Sequence, residues 1–156
     1  MFENKQLVQF DTILPHLKAN NTNQALKTLA SIAAKDTGLP ADMLYDSLVF
    51  QEKEAGSGIG RGVAIPHLCI KGLKKPYTVL ARLNRAIDFE SVDGKPSDLV
   101  ALILSPAEDG PYHLRRLARI SRLLCNATFC HRLRRTQDED SLHFMVRSAD
   151  PIAMAA

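Results

Sequence analysis

One uninterrupted run of six aliphatic residues, at positions 99–104, does most to restrict the fold of this chain. A half-exposed strand alternates apolar and polar residues, whereas a continuous apolar run indicates a strand that is covered on both faces. The run is far shorter than the roughly 20 apolar residues that a membrane-spanning helix needs. We therefore expect a central sheet with helices on both of its faces and no membrane span.

Helical patterns lie on both sides of this run in the sequence. The first pattern has Thr22 as its N-cap and ends at Gly38, and the second begins at Pro40 in the first-turn position that proline favours. A third begins at Pro111 and places four residues on one face: Leu114, Leu117, Ser121 and Leu124. Further strands are predicted at residues 13–18, 63–65 and 77–83. Helices before and after buried strands are typical of an α/β sandwich.

The length of 156 residues, with 46% hydrophobic and 24% charged residues, fits a single globular domain over residues 1–156. We expect a core of about residues 10–148 between loosely held ends. The start of the chain lacks the features of a secretory signal, which favours a cytoplasmic location. The three cysteines have no zinc-site or disulfide spacing, and the histidines and acidic residues form no metal-ligand cluster. No metal and no cofactor are expected.

Four of the eight glycines fall within the seven residues 56–62. This segment lacks the G-x-G-x-x-G fingerprint of dinucleotide sites and the Gly-Lys-Ser/Thr ending of a nucleotide P-loop. Two interpretations remain open. The glycines could let successive N–H groups surround an anion, or they could form a flexible connection between a helix and a strand.

Two histidines occupy similar positions after predicted strands. His67 follows Pro66 at the end of strand 63–65, and His113 opens the helix after the run 99–104. Ligands of open α/β sheets bind at the carboxyl ends of strands, and helix starts attract anions. The two histidines could hold one phosphoryl group, or they could be unrelated surface residues. The other three, His16, His131 and His143, lack such a setting.

The segment from Gly58 to His67, GIGRGVAIPH, resembles the G-I-G-x-G-x-A-I-P-H segment of enzyme IIA proteins of the bacterial phosphotransferase system. The resemblance is to the fructose/mannitol type and, within it, to the nitrogen-related branch. Segments similar to the family follow in order at residues 86–89, 93–100 and 112–114. The resemblance extends over about residues 10–148. It implies a three-layer α/β/α sandwich with a mostly parallel mixed sheet.

The resemblance also implies the roles of the site residues. His67 would accept a phosphoryl group from HPr or its nitrogen-branch counterpart, and His113 would stabilise that group. The implied phosphate-binding set comprises Ser57, Gly58, Gly60, Arg61 and Gln51. Phosphoryl transfer needs an in-line nucleophile and well-placed donors for the anionic oxygens, with little other protein chemistry.

The chain departs from the family pattern at three places. Gln51 stands where the family commonly has an arginine, Gly56-Ser57 replaces a pair of hydroxyl residues, and Arg61 replaces an asparagine. The cation of the family site is therefore missing at position 51. We expect Arg61 or Lys53 to supply the missing positive charge.

The function implied by the resemblance is that of a phosphohistidine carrier in a phosphoenolpyruvate-dependent system, linked to nitrogen and potassium regulation. Its regulated targets would be proteins such as potassium transporters or sensor kinases. The sequence contains no IIB-like or membrane segment, which favours the nitrogen-related branch. Two alternatives remain: a degenerate binding module without phosphotransfer, and a sugar-specific IIA protein that passes phosphate to a separate IIB.

The formal net charge of +3 conceals an uneven distribution. Residues 111–135 contain seven arginines and no acidic residue, and this basic block begins two residues before His113. The block could raise the potential at the site or meet an acidic partner. Nucleic-acid binding is not favoured, because no stacking aromatic residues or recognised motif accompany Arg115, Arg119 and Arg122. A solvated helix face explains these three arginines better.

Overall fold

The computed structural model describes residues 9–149, which form six strands, five α-helices and one short 3₁₀ helix (Ala107–Asp109). The strands are β1 (Thr12–Leu17), β2 (Gly58–Gly60), β3 (Val63–Ala64), β4 (His67–Ile70), β5 (Tyr77–Ile87) and β6 (Ser97–Pro106). The helices are α1 (Thr22–Thr37), α2 (Ala41–Glu54), α3 (Pro111–Leu124), α4 (Ala127–Arg135) and α5 (Glu139–Arg147). Most of the expected loose ends, residues 1–8 and 150–156, lie outside the described part. No helix within residues 9–149 is long and apolar enough to cross a membrane.

All six strands belong to one mixed sheet in the order β1-β5-β6-β3-β2, with β4 also paired to β6. The pairs β1/β5, β3/β6 and β4/β6 are parallel. The pairs β2/β3 and β5/β6 are antiparallel. The mixed sheet agrees with the predicted fold, but its longest pairing, β5 with β6, is antiparallel. These strands follow one another in the chain through the nine residues 88–96, which are fewer than the dozen or more that a parallel crossover needs, so the pair is antiparallel.

The predicted buried strand is the centre of the molecule. Side chains of β6 alternate between two apolar clusters, as the two-residue period of a strand requires. Val100, Leu102 and Leu104 pack with α1 and α2 on one face of the sheet. Leu99, Ala101 and Ile103 pack with α3, α4 and α5 on the other. The three-layer α/β/α arrangement is therefore confirmed.

The helix starts differ from the sequence-based predictions in detail. The N-cap of α1 is Asn21, whose side chain accepts a hydrogen bond from the N–H of Gln24, and Thr22 is the first helical residue. The hydroxyl of Thr22 donates to the carbonyl of Asp88 instead. In α2, Pro40 is the N-cap position and the helix begins one residue later.

The buried face of α3 is rotated from the predicted one. Leu114 is 65% exposed, whereas His113, Ile120, Leu123 and Leu124 are buried. A polar residue, His113, occupies the core-facing position of the first turn. A prediction from hydrophobicity therefore placed Leu114, one residue later, on the buried face of α3. Burial of this polar ring is tolerated because its Nδ1 atom is hydrogen-bonded to the hydroxyl of Ser105.

His67 does not lie beyond the carboxyl end of a strand, as the sequence had indicated, but begins β4. Val63 pairs with Leu99 and His67 with Ile103, so that β3 and β4 follow β6 in one register. Pro66 interrupts the strand because it has no N–H, yet its carbonyl accepts a hydrogen bond from the N–H of Ile103. Pairing with β6 therefore resumes at once.

Candidate functional site

Strand alternation brings two polar side chains to one end of the face that α3 covers. Val63 and Ile65 belong to the apolar cluster on this face, and His67 is the next residue in the alternation. On β6 the series of Leu99, Ala101 and Ile103 continues to Ser105. Both apolar series thus end in a polar residue at the same end of the sheet.

The structure brings His67 and His113 together at this end. Their ring centroids lie 5.4 Å apart, and the ring planes are inclined by 41°. His113 comes from the first turn of α3 and is 7% exposed, whereas His67 is half-buried. The two histidines form a pair that is open on the side of His67.

A backbone contact sets the tautomer of His67. Its Nδ1 atom lies 2.8 Å from the carbonyl oxygen of Ile65. A carbonyl oxygen accepts hydrogen bonds and cannot donate one, so Nδ1 carries the proton. In the neutral ring, Nε2 then holds the free lone pair, and it has no hydrogen-bond partner among the described residues.

A buried serine contacts the second histidine. Nδ1 of His113 lies 2.7 Å from the hydroxyl oxygen of Ser105, which is fully buried. The same oxygen accepts a 2.6 Å hydrogen bond from Nη1 of Arg116, whose Nη2 pairs with Asp109 at 3.0 Å. Neither Ser105 nor Arg116 was predicted from the sequence as a site residue. The available signals were a hydroxyl residue at the end of an apolar run and an arginine one helical turn after His113.

The surroundings of His113 keep its ring neutral. Burial is the main cause that lowers the pKa of His113 below its usual value, and nearby His67 and Arg116 lower it further. The carboxylate of Asp109 opposes this shift. A lowered pKa means that His113 is uncharged at neutral pH.

The glycine-rich segment is a hairpin formed by β2 and β3. Gly58 pairs with Ala64 and Gly60 with Val63, while the carbonyl of Ser57 accepts a hydrogen bond from Ile65. Each residue of a strand advances about 3.3 Å, so Val63 lies about 13 Å from position 67 along β3 and β4. The hairpin therefore extends away from His67, with Ser57 at the near end and Gly60 near the tip.

Several N–H groups of this hairpin are already used within the protein. The N–H groups of Ser57, Gly58 and Arg61 donate to Glu52, Phe89 and Asp93, respectively. The segment is therefore a hydrogen-bonded hairpin rather than a loose connection, and three of the N–H groups that an anion would need are occupied. A Cβ atom on Gly58 would lie 2.8 Å from Cα of Ser91, so close packing explains that glycine.

The hydroxyl group of Ser57 remains available. Its oxygen is buried and has no hydrogen-bond partner among residues 9–149. The neighbouring carboxyl of Glu52 accepts from the N–H of Ser57 at 3.0 Å. Burial raises the pKa of Glu52, whereas the N–H of Ser57 and its hydroxyl, which is close to the carboxyl group but lacks hydrogen-bond geometry, act in the opposite direction.

Within the described residues, neither of the expected cations, Arg61 and Lys53, has a hydrogen bond to His67 or His113. The guanidinium of Arg61 donates to the carbonyl of Cys125, which caps the end of α3 opposite to His113. Because α3 has 14 residues and is about 20 Å long, the carbonyl of Cys125 is far from His113 in the first turn. Lys53 is exposed in the last turn of α2, where Gln51 is half-buried. A cation that does lie beside the pair is Arg116, through Ser105 and His113.

The basic block of residues 111–135 is partly used in internal contacts. Arg116 pairs with Asp109, and Arg134 pairs with Asp98 at 2.9 Å. The guanidinium of Arg115 lies 5.5 Å from the ring centre of Tyr112, which is 52% exposed. No group of three or more metal-ligating side chains occurs in the described part of the chain.

Sequence comparison identifies relatives over nearly the whole chain. Residues 6–148 match the family described as phosphoenolpyruvate-dependent sugar phosphotransferase system, EIIA 2. A nitrogen regulatory protein of Bradyrhizobium diazoefficiens is 43% identical over 150 residues, which cover 96% of this chain and 97% of that protein. A nitrogen regulatory protein of Escherichia coli K12 is 27% identical over 157 residues, covering 96% of each chain.

Two solved structures have the same fold. The nitrogen regulatory protein IIA-Ntr of Neisseria meningitidis has a TM-score of 0.81 at 20% identity, over 94% of this chain and 99% of that one. The mannitol enzyme IIA of Escherichia coli, in complex with phosphorylated enzyme IIB, has a TM-score of 0.72 at 16% identity. That match covers 88% of this chain and 94% of the other.

Proposed function

This chain belongs to the EIIA type 2 family of the phosphoenolpyruvate-dependent sugar phosphotransferase system, in its nitrogen-regulatory branch, and on that premise we propose that it carries a phosphoryl group on His67. One observation carries the proposal. His67 and His113 lie with ring centroids 5.4 Å apart, and Nδ1 of each ring is held by a protein group. Each ring therefore has Nε2 left for an incoming phosphoryl group.

His67 is the proposed nucleophile. Its Nδ1 proton is held by the carbonyl of Ile65, which leaves the lone pair on Nε2. The Nε2 atom attacks the phosphorus atom of a phosphohistidine donor as the bond between that phosphorus and the donor nitrogen breaks. The leaving imidazole keeps the electron pair of the broken bond. Fixing the orientation of the attacking ring lowers the entropic cost of this step.

His113 is the proposed donor to the phosphoryl oxygens. It is held neutral by its surroundings and lies in the first turn of α3, where the helix is electropositive. A donor that is fixed before the reaction stabilises the charge that develops in the transition state. The half-buried position of His67 leaves room for a donor protein to approach.

The phosphate-binding set is revised accordingly. The hydroxyl of Ser57 is a proposed further donor, because it is buried beside Ile65 and has no partner in the described region. The N–H groups of Gly58 and Arg61 are engaged elsewhere and are not assigned to the phosphoryl group. Within residues 9–149, Gly60 and Gln51 have no contact that supports a role.

The proposed phosphoryl donor is HPr or an HPr-like phosphocarrier of the nitrogen branch. The proposed output is regulatory, through contact with a transporter or a sensor kinase whose activity depends on the phosphorylation state. The match to a IIA protein solved together with phosphorylated IIB is compatible with a phosphoryl carrier of this fold. The exposed Tyr112 and Leu114, next to His113, supply apolar surface for such a contact.

Phosphotransfer in a purified system tests the proposal. The chain is incubated with phosphoenolpyruvate, enzyme I and the phosphocarrier, and acid-labile label on the protein is measured. We expect one phosphoryl group per chain on the wild type and on His131→Gln, which changes an exposed histidine of α4. We expect none on His67→Gln. Absence of label on the wild type, with active partners, would support the alternative of a binding module without phosphotransfer.

A further inference from the structure

We propose that Ser105 and Arg116 are positioning residues that hold His113 in the tautomer with its proton on Nε2. This inference rests on the proposed function, since the tautomer matters when His113 donates to a phosphoryl group. Neither residue is expected to touch the phosphoryl group itself. Both act through the ring of His113.

The proton of the Ser105 hydroxyl decides the tautomer of His113. A hydroxyl has one proton to donate and two lone pairs to accept with. Arg116 can only donate, so its 2.6 Å contact occupies a lone pair of the Ser105 oxygen. The remaining polar contact of that oxygen within residues 9–149 is Nδ1 of His113, at 2.7 Å.

These contacts determine the direction of the second hydrogen bond. If Nδ1 of His113 donated to Ser105, the hydroxyl proton would be left without an acceptor in a fully buried position. An unpaired buried donor is strongly disfavoured. Ser105 therefore donates to Nδ1, and the single proton of the neutral ring resides on Nε2. A neutral histidine held in this way presents an N–H donor at its far nitrogen.

Asp109 and Arg116 keep the hydroxyl in place. One nitrogen of the Arg116 guanidinium bonds to Ser105 and the other pairs with Asp109, so its planar geometry fixes both contacts. The positive charge of Arg116 also disfavours protonation of His113. A cation thus lies beside the pair in this chain, although Gln51 occupies the family's arginine position.

The tautomer can be measured directly by long-range correlation of imidazole protons and nitrogens in protein labelled with ¹⁵N-histidine. We expect His113 of the wild type to show the Nε2–H tautomer at pH 7.5. In Ser105→Ala and Arg116→Gln we expect a mixture of tautomers. Arg122→Gln is the matched control, because it removes the same charge from an exposed position of the same helix and should leave the tautomer unchanged.

The rate of phosphotransfer is measured on the same variants. By analogy with other residues that orient a ligand or catalytic group, we expect about a 10- to 100-fold slower transfer in Ser105→Ala and Arg116→Gln. Arg122→Gln should keep the wild-type rate. Thermal unfolding verifies that each variant is folded, and Arg116→Gln replaces Ser105→Ala in the comparison if the latter fails to fold.

The two proposals fail differently. A wild-type His113 with its proton on Nδ1, or folded Ser105→Ala and Arg116→Gln variants with unchanged tautomer and unchanged rate, would overturn the positioning role. Absence of phosphoryl acceptance by the wild type would instead overturn the proposed function. The tautomer measurement does not depend on phosphotransfer and remains decisive in that case.

Discussion

The Nδ1 atom of His67 lies 2.8 Å from the carbonyl oxygen of Ile65, the residue two positions before it. Only Pro66 separates the two, and its ring restricts the backbone between them. The contact belongs to the strand interruption between β3 and β4. It directs Nδ1 of His67 to the backbone and leaves Nε2 free for the proposed attack on phosphorus.

The lowered pKa of His113 predicts a pH dependence of stability. The ring has a pKa of about 6.5 in the unfolded chain and a lower value in the folded protein. Below the unfolded value, the unfolded chain binds more protons, so this residue makes the free energy of unfolding fall as the pH is lowered. Above that value its contribution is constant.

Chemical denaturation between about pH 5 and pH 8, the range around the usual histidine pKa, measures this effect in the wild type and in His113→Gln. The free energy of unfolding of the variant should fall less toward acidic pH than that of the wild type, because the variant has no proton to take up at this position. Identical slopes for the wild type and the variant would contradict the assignment of a lowered pKa to His113.

The free hydroxyl of Ser57 predicts a variant that separates function from stability. Ser57→Ala removes a buried hydroxyl without a partner in the described region, so the free energy of unfolding should stay unchanged or rise slightly. Loss of a hydrogen bond to a charged oxygen should slow phosphotransfer about tenfold or more.

Ser97→Ala is the control for this variant. Ser97 is also buried, and its hydroxyl likewise has no partner within residues 9–149, but it lies at the start of β6 away from His67. It should transfer phosphate at the wild-type rate. If Ser57→Ala also transfers at that rate, the Ser57 hydroxyl has no role in binding the phosphoryl group.

Close packing at Gly58 predicts a loss of stability on substitution. A Cβ atom there would meet the backbone of Ser91 at 2.8 Å and that of Phe89 at 3.0 Å. Gly58→Ala should therefore lower the free energy of unfolding by about 1–3 kcal/mol, as overpacking of a filled site does. Urea denaturation measures the change.

Gly94→Asn provides a comparison at an open position. An added Cβ there has nothing within 4 Å, and asparagine tolerates its φ of 72° better than most residues. This variant should be nearly neutral. A Gly58→Ala protein with wild-type stability but impaired phosphotransfer would instead favour the anion-binding interpretation of the glycines.

The sequence was sufficient for the architecture because the hydrophobic pattern is local and strong. The run at residues 99–104 indicated a strand covered on both faces, and it is the centre of the sheet. The pattern failed at α3, where His113 replaces an apolar residue on the buried face. Hydrophobicity alone does not reveal a buried polar residue that is hydrogen-bonded.

The site was only partly accessible from the sequence. The positions of His67 and His113 after apolar strands favoured a pair without excluding two unrelated residues, and the structure brings them together although His67 begins β4. The contact of Ser105 and Arg116 with His113 depends on how α3 is placed against β6, which no local pattern specifies. The role of Gly58 depends on Phe89 and Ser91, which come more than thirty positions later in the sequence.

The proposed chemistry depends on a single atom, Nε2 of His67. Protein labelled with ¹⁵N-histidine is phosphorylated by phosphoenolpyruvate, enzyme I and the phosphocarrier, and the coupling between ³¹P and ¹⁵N locates the new bond. We expect one phosphorus atom coupled to Nε2 of His67, with the proton still on Nδ1. Phosphorus bound to Nδ1 of His67, or to any other residue, would contradict the account.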